Sequence, residues 1–287
     1  MAVHTLGAGR TGGAGTRGGP PRTPRPGRTR LGRLLPWAST VSIVVVWWLL
    51  ARAVGEPTVL PDPFSLVVTA AGMTHDGTLP QALGVSLVRV LVGSGVGITV
   101  GVLLGLVAGF WRVGEDLVDR PVQMLRTIPF TALTPLLLLW FGLAETPKIV
   151  LVAIATMVPM YLNTFGGVRG VDHRLLEVAR SCRLSRRQTA IHVLLPGALA
   201  PILVGLRHAL GVAWIAVIVA EMVNSSAGIG HLLTNARTYL RTDVVMVCIA
   251  VYAVLGLLTD GIVRAAEKHL LHWRSAASTP GTGSERP

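Results

Sequence analysis

Apolar residues in this chain are gathered into long runs with little or no charge, separated by short polar stretches, as in helices that cross a lipid bilayer. Residues 34–51 carry no charge over eighteen positions and place Trp37, Trp47 and Trp48 near their ends, where indoles favour the membrane–water boundary. Further spans are expected at residues 84–111, 127–144, 149–168, 198–223 and 244–263. The third is interrupted by Pro129 and Pro135, and the fourth contains Pro159. Prolines are tolerated in a span where neighbouring protein satisfies the carbonyls they free. Six spans would return the chain to the side on which it started.

Two of the runs carry internal structure. Gly93, Gly97, Gly101, Gly105 and Gly109 recur at every fourth residue of the second span. They strip side chains from one ridge, so that another helix can approach closely. The fifth and second spans contain ionisable residues: Arg89 near the outer end of the second, Arg207 near the inner end of the fifth and Glu221 near its outer end. Charges in apolar spans are costly unless paired or facing water, which makes these three the candidates for a pathway or gating role, with a structural ion pair as the plainer reading.

The polar stretches differ in kind. Residues 53–80 contain acids and prolines but no Lys or Arg, with a short amphipathic segment at 64–73. Residues 112–126 read as a short connection of mixed charge. Residues 172–196 form a basic island with the signature of a helical hairpin. Asp172 can cap a first helix whose Leu175, Leu176, Ala179 and Cys182 share one face. Ser185 and Gln188 give the S-x-x-Q capping box of a second helix, and Pro196 would close the island. Arg183 then falls just beyond the first helix, where chains often turn left-handed. An arginine there costs roughly 1–2 kcal/mol of backbone strain, unless the turn shifts and Arg183 stays helical.

Composition agrees with a membrane protein. The 287 residues are 51% hydrophobic and only 14% charged, with a mean hydropathy of +0.59, too apolar for a soluble domain of that size. The net charge of +12 comes from arginines, 24 of the 26 basic residues. Their placement decides topology, because they crowd the first 33 residues and the island. The positive-inside bias puts both, and with them both termini, on the cytoplasmic side. Residues 1–33 have no acid and almost no large apolar side chain and are expected to be a disordered tail; 274–287 are expected to be a second one. The basic tail is taken as a topology signal, with no nucleic-acid partner expected. Cys182 and Cys248 lack zinc or disulfide spacing.

The island also resembles the EAA loop of ABC importer permeases. Glu177, Ala179, Leu195 and Pro196 match that pattern in register, whereas Val178, Val193 and Arg183 depart from it, the last replacing a glycine. Leu60-Pro61-Asp62-Pro63, Leu125-Arg126-Thr127-Ile128-Pro129, Trp140-Phe141-Gly142, Ala220-Glu221-Met222 and Gly228-Ile229-Gly230 are similar to stretches of the sulfonate, nitrate and taurine branch of those permeases.

That resemblance implies an all-α membrane protein with six spans in a type I importer fold over residues 34–273. It implies a homodimer in the lipid bilayer, two cytoplasmic ATPase subunits docked on Glu177, Ala179, Arg183, Ser185, Leu195 and Pro196, and an extracytoplasmic binding protein that delivers a small anion. The chain has no G-x-x-x-x-G-K-[ST] loop, so ATP and Mg belong to the partner ATPase. No metal site or catalytic constellation is evident. A stand-alone secondary transporter or channel is the competing class, and transport driven by an ion gradient would favour it.

Overall fold

The structure, a computed structural model, describes residues 30–56, 58–223 and 225–271. The expected tails, 1–33 and 274–287, lie outside these residues, except that the chain is already helical at Arg30. It divides into residues 1–46 and 47–287. The first unit contributes the beginning of α1 (Arg30–Val54), where Val41, Ile43, Val44, Val45 and Val46 are all exposed. The rest of α1 and every later element belong to the second unit.

Every regular element among the described residues is helical. Three long helices form the centre of the second unit: α6 (Thr146–Arg169) packs along α3 (Thr78–Phe110) on one side and along α9 (Leu195–Val223) on the other. The glycine ladder explains the first contact. All five glycines face α6, and the residues that meet them, Val152, Thr156, Met160, Thr164 and Val168, also recur at every fourth position. A methyl group on Gly101 would stand 2.6 Å from the carbonyl oxygen of Met157, and one on Gly93 2.7 Å from Cβ of Val152. Fourfold ridges on both helices interlock, and backbone carbonyls lie where side chains would otherwise be.

Around this centre, α2 (Pro63–His75), α10 (Ile229–Thr238) and α11 (Thr242–Leu270) share an apolar core that includes Leu66, Met73, Ile229, Val247 and Cys248. Thr69 donates to Asp243 at 3.2 Å and ties α2 to the start of α11. Among the described residues four helices are long and apolar enough to span a bilayer, counting α9 with the turns that lead into it; a bent pair makes a fifth candidate.

That bent pair departs from the expected third span. Residues 112–126, taken as a connection, are the greater part of an amphipathic helix, α4 (Arg112–Thr127). The helix stops because Pro129 forces Ile128 into an extended conformation (φ −82°, ψ 121°). A 3-10 turn (Phe130–Leu133) and the short α5 (Thr134–Phe141) follow, bent 90° from α4. Two further expectations shift. The second span begins six residues earlier than residue 84, because Pro80 stands in the first turn of α3, where its missing N–H is not needed. Pro196 does not close the hairpin: α8 (Arg186–Thr189) runs through a π turn (Ala190–Leu194) straight into α9. The chain passes Pro196 by widening, with the Leu195 N–H reaching five residues back to the Ala190 carbonyl.

Candidate functional site

The hairpin is built from local signals. Asp172 caps α7 (His173–Ser181) by accepting from the Arg174 amide at 3.0 Å. At the other end, the Leu184 N–H donates to Ala179 O at 3.0 Å and the Arg183 N–H to Arg180 O at 2.9 Å, the paired bonds of a Schellman turn. Arg183 occupies its left-handed position with φ 52°. Ser185 and Gln188 then bond reciprocally, with the Ser185 N–H donating to Gln188 Oε1 at 2.9 Å and the Gln188 N–H to Ser185 Oγ at 3.3 Å. Both ends of α7, the turn and the start of α8 are thus fixed by bonds among residues between Asp172 and Gln188.

This frame determines which side chains the hairpin exposes. Ala179 is buried beneath α7, and a cleft of about 400 Å³ between α7 and the π turn is lined by Ala179, Leu184, Val193 and Pro196 among others. Glu177 is exposed, as are Leu175, Val178, Ile191 and Leu195 and the arginines 174, 180, 183, 186 and 187. None of these arginines forms an ion pair among the described residues. Cys182 is exposed and Cys248 buried, both as free thiols. Apolar residues and unpaired cations thus share a rigid surface at one end of the bundle.

At the opposite end the charges close on one another. Arg89 is 3% exposed and Glu221 1%. The Arg89 guanidinium donates from Nη1 to Glu221 Oε1 at 2.8 Å and to the Ala227 carbonyl at 2.7 Å. Its Nε and Nη2 form a two-pronged contact with Glu145 at 2.6 and 2.7 Å. Lys148 adds a third bond to Glu145 at 2.9 Å. Glu221 further accepts from the Gly230 amide at 2.8 Å, and Ser86 Oγ stands 2.8 and 2.9 Å from its two oxygens. The single hydroxyl proton serves one oxygen at a time, while Ser86 itself accepts from the Ile229 amide at 2.9 Å.

Two cations and two anions sum to zero in this clasp, which joins α3, α6, α9 and α10. Glu145, in the loop before α6, is held at about 2 chiefly by its hydrogen bond from Arg89, well below the usual carboxylate value of 4.5. Gly228 makes the closure possible. Its φ of 111° suits glycine alone, and a methyl group there would lie 2.5 Å from the Glu221 carboxylate. The sequence signals to the clasp were thin: Ser86 and Arg89 share a helix face at a spacing of three, and so do Glu145 and Lys148, but nothing local links the pairs.

Arg207 is engaged at the hairpin end of the bundle. It bonds Glu267 at 2.7 Å and lies 3.2 Å from Asp260, which Arg264 also contacts at 2.7 Å. The three ionisable candidates, Arg89, Arg207 and Glu221, are therefore all in ion pairs, the first and last with each other. The inner end of α6 is also anchored to α4, through an ion pair between Arg169 and Glu115 and through the Tyr161 hydroxyl, which donates to Asp119 at 3.0 Å.

A bundle of membrane-length apolar helices with a basic hairpin at one end has the architecture of a membrane transport component. The sequence pattern of the family described as binding-protein-dependent transport system inner membrane component matches residues 97–272. This chain belongs to that family, the multi-pass inner-membrane permeases of ABC importers, which work with ATPase and binding-protein partners and are not themselves ATPases. It is 46% identical over 246 residues to the putative aliphatic sulfonates transport permease protein SsuC of Escherichia coli (strain K12), covering 85% of this chain and 93% of that one. It is 40% identical over 253 residues to the protein of the same description from Bacillus subtilis (strain 168), covering 88% and 92%. The fold is similar to a chain in the crystal structure of an amino acid ABC transporter with histidines (TM-score 0.59, 18% identity, 69% of this chain and 97% of that one).

Proposed function

We infer that this chain is the membrane-spanning subunit of an importer for aliphatic sulfonates or closely related small anions. It works as a homodimer of six-span subunits over residues 34–273, with both termini cytoplasmic. The substrate reading is supported by the two relatives described as sulfonate permeases. In this reading two cytoplasmic ATPase subunits bind ATP and Mg, and an extracytoplasmic protein delivers the solute to the clasp end.

The observation that carries the coupling role is the continuity of the hairpin with α9. From Arg186 to Val223 the chain is one helical path of 38 residues, so displacement of the hairpin is passed along α9 to Glu221 near its far end. Glu177 and the exposed apolar residues of α7 supply the docking face. Ala179 and Pro196 hold that face against the bundle, exposed Leu195 adds to it, Ser185 fixes the turn, and Arg183 extends toward the motor. Arg89 and Glu221 gate the outer end and Arg207 steadies the inner one. The five ladder glycines keep α3 and α6 moving as one body.

Reconstitution tests this reading. In proteoliposomes holding the chain together with its ATPase and binding protein, ATP should drive uptake of an alkanesulfonate, and the chain alone should stay silent. Uptake by the chain alone, driven by an ion gradient, would overturn it in favour of a secondary transporter.

A further inference from the structure

A cavity of about 270 Å³ opens beside the bend that follows α4 and is walled by α6 and α9. Its surface is largely apolar, with Phe130, Val158 and Val212 contributing. Three polar side chains from three different helices reach it: Arg126 of α4, Asn163 of α6 and His208 of α9. Neither the clasp nor the hairpin contributes a residue. The volume lies just below the roughly 300–1,000 Å³ usual for small-molecule clefts, which suits a compact solute.

Arg126 is the one arginine or lysine that lines the cavity, and its side chain, like that of His208, is also exposed to solvent. Arg89 and Lys148 are engaged by Glu145 and Glu221, Arg169 by Glu115, and Arg207 and Arg264 by Asp260 and Glu267. Arg126 has no carboxylate partner among the described residues. It stands in the last turn of α4, where it offsets the carbonyl end of that helix, but a helix terminus engages only part of a guanidinium with five N–H donors. Asn163 is held in place from both sides. Its Nδ2 donates to the Pro159 carbonyl at 2.8 Å, leaving a second N–H and the amide oxygen. Gly205 of α9 closes over it so tightly that a methyl group there would stand 2.6 Å from the Asn163 Cβ.

A sulfonate remains ionised throughout the physiological pH range. It cannot shed its charge to cross hydrocarbon, so it needs fixed cations and hydrogen-bond donors along the way. We propose that this cavity is a transit site for the transported anion. Arg126 neutralises the headgroup, Asn163 and His208 flank it with hydrogen bonds, and the wall of Phe130, Val158 and Val212 takes the alkyl chain. The proposal rests on the sulfonate reading above and deepens it. The position also fits coupling: His208 and Val212 ride on α9, the helix continuous with the hairpin, whereas Arg126 stands on the other side of the Pro129 bend. Movement of the hairpin changes their separation and hence the grip on the anion.

The test uses radiolabelled ethanesulfonate. Its binding is measured on the detergent-purified complex of this chain with its ATPase, without the binding protein. Its uptake is measured in proteoliposomes with all components. The wild-type complex should bind it saturably and import it. Arg126→Gln should weaken binding and raise the KM of uptake by about tenfold or more, the scale of a lost charge-assisted hydrogen bond, while still co-purifying with the ATPase. Arg126→Lys should recover most of that loss. Butanesulfonate should compete better than ethanesulfonate, and ethanol should not compete. Independently of Arg126, a Val158→Cys variant in a Cys182→Ser background should be shielded from alkylation by ethanesulfonate. Normal ethanesulfonate import with wild-type affinity and KM in Arg126→Gln, or no shielding at position 158, overturns the site and leaves the sulfonate reading standing. No import of ethanesulfonate by the complete wild-type transporter overturns the sulfonate reading itself.

Discussion

The two ends of the bundle treat charge in opposite ways. At one end Arg89, Lys148, Glu145 and Glu221 are drawn into a closed set in which the two carboxylates and the guanidinium are bonded several times over. At the other, the five arginines of the hairpin face solvent beside exposed Leu175 and Val178. Buried charges satisfied within the chain hold helices in register and leave little to offer a partner. A surplus of exposed cations on a rigid, partly apolar frame contributes nothing to the fold and is available for a partner to complete. The same residue type therefore ties helices together at one end and stays exposed and unpaired at the other, where the proposed function gives it a docking role.

The sharpest way to break this contrast is at the clasp. Glu221→Leu would leave Arg89 buried beside an apolar side chain, and loss of one partner from a buried pair costs about 3–5 kcal/mol. Thermal unfolding in detergent should show a large drop, and the double variant with Arg89→Met should lose less than the sum of the two single changes. Additive losses would mean the two residues act independently. Gly228→Ala should be damaging too, since its methyl group would meet the carboxylate at 2.5 Å.

A smaller effect is expected from the ladder. Gly101→Leu drives side-chain carbons into the Met157 carbonyl, and overpacking of this kind costs about 1–3 kcal/mol. Gly95, two residues from the ladder face, has nothing within 4 Å of an added methyl group. Gly95→Ala should stay within about 0.5 kcal/mol of the parent in the same unfolding measurement.

At the hairpin the sign reverses. Arg183→Gly relieves a left-handed arginine and should stabilise the isolated chain by about 1 kcal/mol, after the entropy of the added glycine is counted. It should also bind the ATPase more weakly and couple hydrolysis to uptake less well. A variant that is less stable yet fully coupled would remove the partner-contact explanation.

The smallest effect is in pH. Glu145 has a folded value of about 2 against 4.5 when free of its partners. Its contribution is therefore complete above pH 4.5 and is lost as pH falls through 2. Because its side chain is 57% exposed, solvent screening holds that contribution to about 1 kcal/mol or less. Glu145→Gln should flatten the stability profile between those two pH values and leave it unchanged in shape near neutrality.

The hairpin was legible in the sequence because its determinants are local. Asp172, the Ser185–Gln188 box and the left-handed site at Arg183 each act within a few residues, and spacing alone locates them. The ladder was legible for a similar reason, since a period of four repeated across five glycines has few explanations. The clasp was half legible: Arg89 and Glu221 stand out as charges in apolar runs, but Glu145 lies in a connecting loop 56 residues beyond Arg89 and acquires its role only when α3 and α6 pack. α4 was missed because its charges suggested a loop and its apolar positions, among them Val118 and Val122, face other helices. α10 was missed because its ten residues lie in a polar connection between two long apolar runs and are too few for their spacing to stand out. Pro129 was seen, but whether a proline kinks a helix or turns the chain through 90° depends on what packs around it.

Completion of the hairpin end by the motor subunit is tested most directly by site-directed cross-linking. A photoreactive side chain at Val178, which is 59% exposed on α7, should capture the ATPase in the assembled transporter. The same group at Leu257, 68% exposed on α11, should not. Capture from Leu257 with none from Val178, in a complex that imports substrate normally, would contradict the assignment of the hairpin as the docking face.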